Sequence, residues 1–131
     1  MIAVDASALI AMLLNEPERS AFCGTIKRAG SAVVSSATLL EARMVAYGRG
    51  GQALVDVLDK IVPTLGLQIV PVGVEHIDIA YAAFVTYGNG NGHPANLNSG
   101  DFFSYALAKP VGAPLLFKGE AFSRTDIERA A

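Results

Sequence analysis

The stretch that decides the fold is Met1-Ile-Ala-Val-Asp5, in which four apolar residues run directly into an acid. A short apolar run without polar alternation predicts a strand that is buried on both faces, as in a parallel sheet. Three similar runs follow along the chain, at 31–35, 67–72 and 114–117. The sequence therefore predicts a sheet of four short strands, with Asp5 at the carboxyl end of the first.

Segments with a helical spacing of apolar residues separate these strands. They cover 7–14, 18–28, 36–47, 52–62, 74–87 and 99–109. Gly30, the run Gly48-Arg-Gly-Gly51 and Pro63 mark helix ends. Strands that alternate with helices indicate parallel β-α units. We predict one α/β domain over residues 1–131, a three-layer sandwich with a short, mostly parallel sheet flanked by helices.

The composition excludes several classes of protein. Hydrophobic residues make up 52% of the 131-residue chain and charged residues 17%, which is too apolar for a disordered protein. No apolar run approaches the roughly 20 residues that cross a bilayer. The longest, from Ala6 to Leu14, lacks the basic start of a signal peptide. We expect this run to be a buried helix in a cytoplasmic protein that has no membrane association.

Charge and cysteine content narrow the choice further. The formal net charge of −2 leaves no large positive footprint of the kind that nucleic-acid-binding domains carry. The single Cys23 excludes an internal disulfide and a cysteine-rich metal site. Affinity for nucleic acid would have to come from a local basic patch, a metal ion or a partner. Candidates for phosphate contacts are Arg43, Lys109, Lys118 and Arg124.

Three acids, Asp5, Glu41 and Asp101, stand near helix starts that follow a strand or a glycine loop. Each has a structural explanation. Asp5 suits a helix N-cap, and Thr38-Leu-Leu-Glu41 matches a capping box. Asp101 falls in a first helical turn, where any acid interacts well with the helix dipole. Taken singly, the three residues indicate helix structure rather than catalysis.

Taken together, the same acids allow a different interpretation. Ligands bind outside the carboxyl ends of the strands in an open parallel sheet, so the three carboxylates can converge at one edge. Carboxylates gathered in a dry cleft repel one another unless a hard cation binds between them, and oxygen ligands suit Mg²⁺ or Mn²⁺. Such an ion activates water and stabilises charge on a scissile phosphodiester.

Several motifs stand in order along the chain. They are Val4-Asp5-Ala-Ser7-Ala, Leu-Leu-Glu41-Ala, the run from His93-Pro94 through Leu97-Asn98-Ser99-Gly100-Asp101 to Tyr105-Ala-Leu-Ala108-Lys109, and Pro114-Leu-Leu-Phe-Lys-Gly119 through Phe122 to Thr125-Asp126-Ile127. Together they resemble the PIN-domain ribonuclease toxins of VapBC toxin–antitoxin systems. The block from Asn98 to Asp126 is the most specific part of this resemblance. The resemblance implies a PIN-like fold and a Mg²⁺- or Mn²⁺-dependent endoribonuclease. It also implies a homodimer that is neutralised by a VapB-type antitoxin whose tail covers the cleft.

The resemblance also assigns residues. It makes Asp5, Glu41 and Asp101 the metal-binding and catalytic acids, and Ser7 the hydroxyl that orients a carboxylate or a metal-bound water. The family commonly has a fourth acid directly before the Phe of this region, where this chain has Ala121. Two nearby acids, Glu120 and Asp126, are the alternatives for supplying the missing charge.

Three functions follow as hypotheses. The first is a metal-dependent endoribonuclease toxin that cleaves RNA by metal-activated water, with Arg43 contacting RNA or the antitoxin. The second, motivated by Ala121, is a catalytically weakened PIN-like domain that acts mainly by binding its partner. The third is a plain α/β binding domain in which the acids are only helix caps. Metal binding separates the first two from the third, and RNA cleavage separates the first from the second.

Overall fold

A computed structural model of the chain describes all residues from Met1 to Ala131. Its centre is a four-stranded sheet in the order β3-β2-β1-β4, in which every neighbouring pair is parallel. The strands are β1 (Ile2–Val4), β2 (Ala32–Ser35), β3 (Leu67–Val70) and β4 (Leu115–Leu116). Because all strands run the same way, their carboxyl ends meet at one edge, where β1 delivers Asp5.

Five α-helices and one 3-10 turn connect and follow the strands. They are α1 (Ala6–Leu13), α2 (Arg19–Ala29), α3 (Ser36–Thr64), α4 (Val74–Tyr87), α5 (Ser99–Ala108) and the 3-10 turn (Ala121–Arg124). Helix α3 replaces the two helices predicted at 36–47 and 52–62. Its backbone is non-helical at Gly50 and Gly51, so a kink lies where the glycine run predicted an end. Pro63 does not end the second part, which continues to Thr64.

The helices cover both faces of the sheet, and alternate strand residues face opposite sides. In β1, Ile2 and Val4 join a core of 20 buried residues that α1, α2 and α3 complete. Ala3, between them, joins a second core of 11 buried residues that includes residues of α4 and α5 and Phe122 of the 3-10 turn. In β4, Leu116 likewise belongs to the first core and Leu115 to the second. The predicted three-layer sandwich is therefore confirmed.

The chain end does not remain a free polar tail. The Leu115 N–H donates to the Glu128 carbonyl at 2.8 Å, and the Ala130 N–H donates to the Leu115 carbonyl at 2.9 Å. These bonds add the tail to the outer edge of β4. An edge strand exposes unpaired backbone groups, and the tail satisfies them. No helix in the fold combines the length and the apolar character that spanning a membrane would require.

Candidate active site

Asp5 is a buried acid with two simultaneous roles. It is the N-cap of α1, because its Oδ2 accepts a hydrogen bond from the Ser7 N–H at 3.1 Å. The same oxygen accepts from Ser7 Oγ at 2.7 Å. The side chain is only 4% exposed, although a helix cap is ordinarily close to solvent. The predicted cap is therefore confirmed. The burial of Asp5 is more than a cap needs, so a second, chemical role is compatible with its position.

The other oxygen of Asp5 meets a residue that the sequence analysis missed. Ser104 Oγ donates to Asp5 Oδ1 at 2.5 Å, and Ser104 also hydrogen bonds Thr38 Oγ1 at 3.3 Å. All three side chains are buried. Ser104 lies three residues after Asp101 and so on the same side of α5. That spacing is the one sequence signal that could have suggested it.

Glu41 projects from α3 toward the start of α5. Helix α3 begins at Ser36 and is capped by Ser35, whose Oγ accepts from the Ala37 N–H at 3.3 Å. The predicted capping box from Thr38 to Glu41 is therefore wrong, because both residues lie inside the helix. With no cap to make, the half-buried Glu41 carboxylate lies against Gly100.

Asp101 belongs to the first turn of α5 and forms a reciprocal cap with Asn98. The Asp101 N–H donates to Asn98 Oδ1 at 3.3 Å, and the Asn98 N–H donates to Asp101 Oδ2 at 3.0 Å. The structural explanation for this acid is thus also confirmed. It uses one carboxylate oxygen and leaves Asp101 Oδ1 without a hydrogen bond from the protein.

Burial and the charges of neighbouring acids raise the pKa of two of the three acids, Glu41 and Asp101. Burial raises the pKa of Asp101 to about 6, a shift that the Asn98 backbone hydrogen bond opposes and the Asp5 charge increases. Burial likewise raises the pKa of Glu41, and the charges of Asp5 and Asp101 raise it further. Desolvation and like charges both disfavour an ionised carboxyl. A positive charge between these residues would relieve both effects.

The side chains at the site are of the kind that binds a hard cation, but the three carboxylates are too far apart to bind one together as arranged. The side chains of the three acids, Ser7 and Ser104 offer only oxygen atoms, from carboxylates and hydroxyls, and oxygens are the ligands that Mg²⁺ and Mn²⁺ prefer. No group of three or more His, Cys, Asp or Glu side chains lies close enough to hold a metal ion as arranged. Asp5, Glu41 and Asp101 could hold one only after their carboxylates move closer.

Ser7 connects Asp5 to the segment after β4. Its Oγ accepts a hydrogen bond from the Lys118 N–H at 3.0 Å. The Lys118 ammonium turns away and pairs with Glu16 at 3.1 Å and Glu18 at 3.3 Å. Lys118 therefore contributes its backbone to the site, while its side chain is held by two acids.

Neither Glu120 nor Asp126 supplies a fourth carboxylate in place of the acid that Ala121 lacks. Glu120 is 85% exposed, and its nearest cation is Arg129 at 4.0 Å. Asp126 accepts from Tyr105 Oη at 2.8 Å and pairs with Lys109 at 2.7 Å. Partial burial opposes ionisation of Asp126, but the bonds from Lys109 and Tyr105 lower its pKa. Neither acid contributes to the raised pKa of Glu41 or Asp101.

Most of the candidate phosphate contacts are already paired. Arg43 Nε donates to Asp59 at 2.9 Å on the exposed side of α3, and Lys109 pairs with Asp126 as described. Arg124, in the 3-10 turn, is exposed and forms no ion pair. Of the four basic residues named from the sequence, Arg124 is thus the one that is free to meet a phosphate.

The parallel sheet, with three acids near the carboxyl edge of its strands, indicates one family of proteins. The family model described as PIN domain matches residues 2–128. The chain belongs to the PIN-domain family.

Similar proteins place it more narrowly. The VapC ribonuclease Mb0640 of Mycobacterium bovis is 42% identical over 128 residues, which cover 98% of this chain and 97% of the relative. Ribonuclease VapC of Mycolicibacterium smegmatis is 41% identical over 124 residues, covering 95% of each protein. The crystal structure of Mycobacterium tuberculosis VapC20, named as a sarcin-ricin loop cleaving toxin, superposes with a TM-score of 0.73. At 17% identity, over 97% of this chain and 96% of that one, it supports the fold alone. Within the PIN-domain family, the chain is of the VapC ribonuclease toxin type.

Proposed function

We propose that this chain is a toxin endoribonuclease that hydrolyses RNA phosphodiester bonds with a bound Mg²⁺ or Mn²⁺. The observation that carries the proposal is the grouping of Asp5, Glu41 and Asp101, in which burial, together with the charges of neighbouring acids, raises the pKa of Glu41 and of Asp101. Perturbed acids gathered at the carboxyl edge of a parallel sheet are typical of a functional site. The ribonuclease names of the relatives support the same reaction.

The cation would be held by Asp5, Glu41 and Asp101. When bound, it lowers the pKa of a water molecule and stabilises negative charge on the phosphodiester. The protein's own residues orient the carboxylates. Ser7 and Ser104 each hold one oxygen of Asp5, and Asn98 holds one oxygen of Asp101. Partners of this kind fix a ligand's direction and raise its affinity for metal.

Two kinds of protein partner are proposed, an antitoxin and a second copy of the chain. We propose a VapB-type antitoxin that places a cationic side chain among the three acids, because charge-assisted hydrogen bonds would relieve their repulsion. We also propose that the protein is a homodimer and acts in the cytoplasm. Helix α4 supports self-association, since it carries a row of exposed apolar side chains, Val74, Ile77, Tyr81, Phe84 and Val85, and buries only Ala83.

The second candidate function is a weakened nuclease that acts mainly through partner binding. It is favoured by Ala121, together with the exposure of Glu120 and the pairing of Asp126. Mg²⁺ demands near-octahedral ligation and completes missing positions with water. Three carboxylates therefore suit one metal site better than two, and the cleavage rate would be modest.

Incubation of RNA with the purified chain, in Mg²⁺ or in EDTA, tests the proposal. Cleavage should require Mg²⁺ and leave a 5′-phosphate. Asp5→Asn keeps the size of the side chain but removes its charge, so it should abolish cleavage and weaken Mn²⁺ binding measured by calorimetry. Asp78→Asn, an exposed acid on α4, is the matched control and should change neither. Cleavage that persists in EDTA would refute the metal mechanism, and metal binding without cleavage would favour the weakened nuclease.

A further inference from the structure

Arg129, the third residue from the end of the sequence, holds the segment between β4 and the 3-10 turn. Its Nη2 donates to the Gly119 carbonyl at 2.7 Å and to Ser123 Oγ at 3.2 Å. Its guanidinium carbon lies 4.0 Å from the ring centroid of Phe117, a ring that is buried. A planar guanidinium can stack and donate several hydrogen bonds at once, which an ammonium cannot.

The backbone held in this way leads to the candidate active site. Lys118 lies between Phe117 and Gly119, the two residues that Arg129 contacts, and its N–H donates to Ser7 Oγ at 3.0 Å. While its oxygen accepts that bond, the Ser7 hydroxyl donates its hydrogen to Asp5 Oδ2, 2.7 Å away. A continuous path of contacts thus joins the guanidinium to the buried carboxylate.

Arg129 is itself fixed by the sheet. The residues on either side of it, Glu128 and Ala130, hydrogen bond the backbone of Leu115 in β4. The other edge of β4 pairs with β1, which ends at Val4, directly before Asp5. The backbones around Arg129 and Asp5 are therefore tied to the same strand, β4, from opposite sides.

We infer that Arg129 is a positioning residue for Asp5, acting through the Lys118 N–H and the Ser7 hydroxyl. It fixes the direction of the Asp5 carboxylate, and with it the lone pairs that remain for a cation. Arg129 touches none of the three acids and is not a catalytic residue. The inference rests on the proposed function, because the consequence of the positioning is tighter metal binding.

A double-mutant cycle on metal affinity tests this path. In calorimetric titrations with Mn²⁺, Ser7→Ala should weaken binding about tenfold and Arg129→Ala roughly fivefold, since losing partners of a metal ligand costs affinity. In the Ser7→Ala background, Arg129→Ala should add no further loss, because the path is already cut. Arg49→Ala, an exposed arginine on α3, is the matched control and should bind as the wild type does. If the two substitutions act independently, their binding free energies add and the double variant loses affinity roughly fiftyfold. That result would overturn the inference.

Amide exchange supplies a readout that needs no metal. In the metal-free protein, Arg129→Ala should speed hydrogen exchange at the Lys118 amide about tenfold, while the Val34 amide in the sheet centre stays unchanged. Unchanged exchange at Lys118 would overturn the link from Arg129 to Ser7. If the wild-type chain binds no Mn²⁺, the metal centre is wrong, and the exchange measurement still decides that link.

Discussion

The Glu41 carboxylate occupies the space where Gly100 would carry a side chain. A Cβ atom placed on Gly100 would lie 2.5 Å from both Glu41 oxygens, a distance that real Cβ contacts do not reach. The backbone of Gly100 is ordinary helix, so its conformation does not require glycine. The close approach requires it, and this approach brings an acid of α3 beside the first turn of α5.

Gly100→Ala is therefore expected to weaken the metal site and leave the fold intact. The new methyl group must displace the Glu41 carboxylate, which is the flexible end of its side chain. Mn²⁺ affinity should fall about tenfold, because a displaced ligand costs binding. The thermal midpoint should not fall, since alanine favours a helix over glycine by about 1 kcal/mol. Calorimetry and a melting curve measure the two effects.

Gly48→Ala is the control for this substitution. It also exchanges glycine for alanine within a helix, but apart from its own neighbours in the helix no atom lies within 4 Å of the added Cβ. It should leave Mn²⁺ affinity unchanged. Equal affinity losses in the two variants would contradict the role assigned to Gly100.

Removal of the Ser104 hydroxyl should destabilise the protein. Ser104→Ala takes away the donor to Asp5 Oδ1, and the oxygen is then buried beside a methyl group. A buried charged acceptor that loses its donor costs about 2 kcal/mol. Urea denaturation should show this loss, whereas Ser20→Ala, at an exposed position of α2, should change stability by less than about 0.5 kcal/mol. A loss of that smaller size at Ser104 would mean that water replaces the hydroxyl.

The raised pKa of Asp101 predicts how the metal-free protein responds to pH. The carboxyl titrates at about 6 in the folded chain, against 3.8 ordinarily, so between these values the folded state binds more protons than the unfolded state. Its contribution to stability then falls as the pH rises through this window. Compared with Asp101→Asn, the wild type in EDTA should lose about 1 kcal/mol from pH 4 to pH 7, because solvent screens part of the full shift. Denaturation at both pH values measures the difference in the free energy of unfolding. A wild type whose stability rises relative to the variant as the pH rises would contradict the prediction.

Ala121→Asp should supply an acid at the position where the family commonly has its fourth. Ala121 begins the 3-10 turn and packs against the second core, so a carboxylate there is held by ordered backbone. The variant is expected to raise the Mn²⁺ stoichiometry or the cleavage rate, because it supplies an additional oxygen ligand. Glu120→Gln should change neither quantity, since Glu120 points into solvent. If Ala121→Asp has no effect, the site works with three acids alone.

Much of the architecture could be predicted from local patterns. A strand buried on both faces shows as an uninterrupted apolar run, and Met1-Ile-Ala-Val4 has that form. Glycine runs mark helix ends, and Gly50 and Gly51 do break the helical backbone of α3. Pro63 misled the prediction, because the helix continues one residue past it.

The sequence by itself determined the order of strands and helices, and hence that Asp5 and the starts of later helices meet at one edge of a parallel sheet. It could do so because strand and helix periodicity are local properties. Only the tertiary structure decided which side chains touch there. Ser104 reaches Asp5 across 99 residues, Glu41 lies against Gly100, and Asp126 turns to Lys109 and Tyr105. These contacts depend on how closely two helices approach and where the chain end folds back, which are set by the packing of the whole core and leave no periodic signal in the sequence.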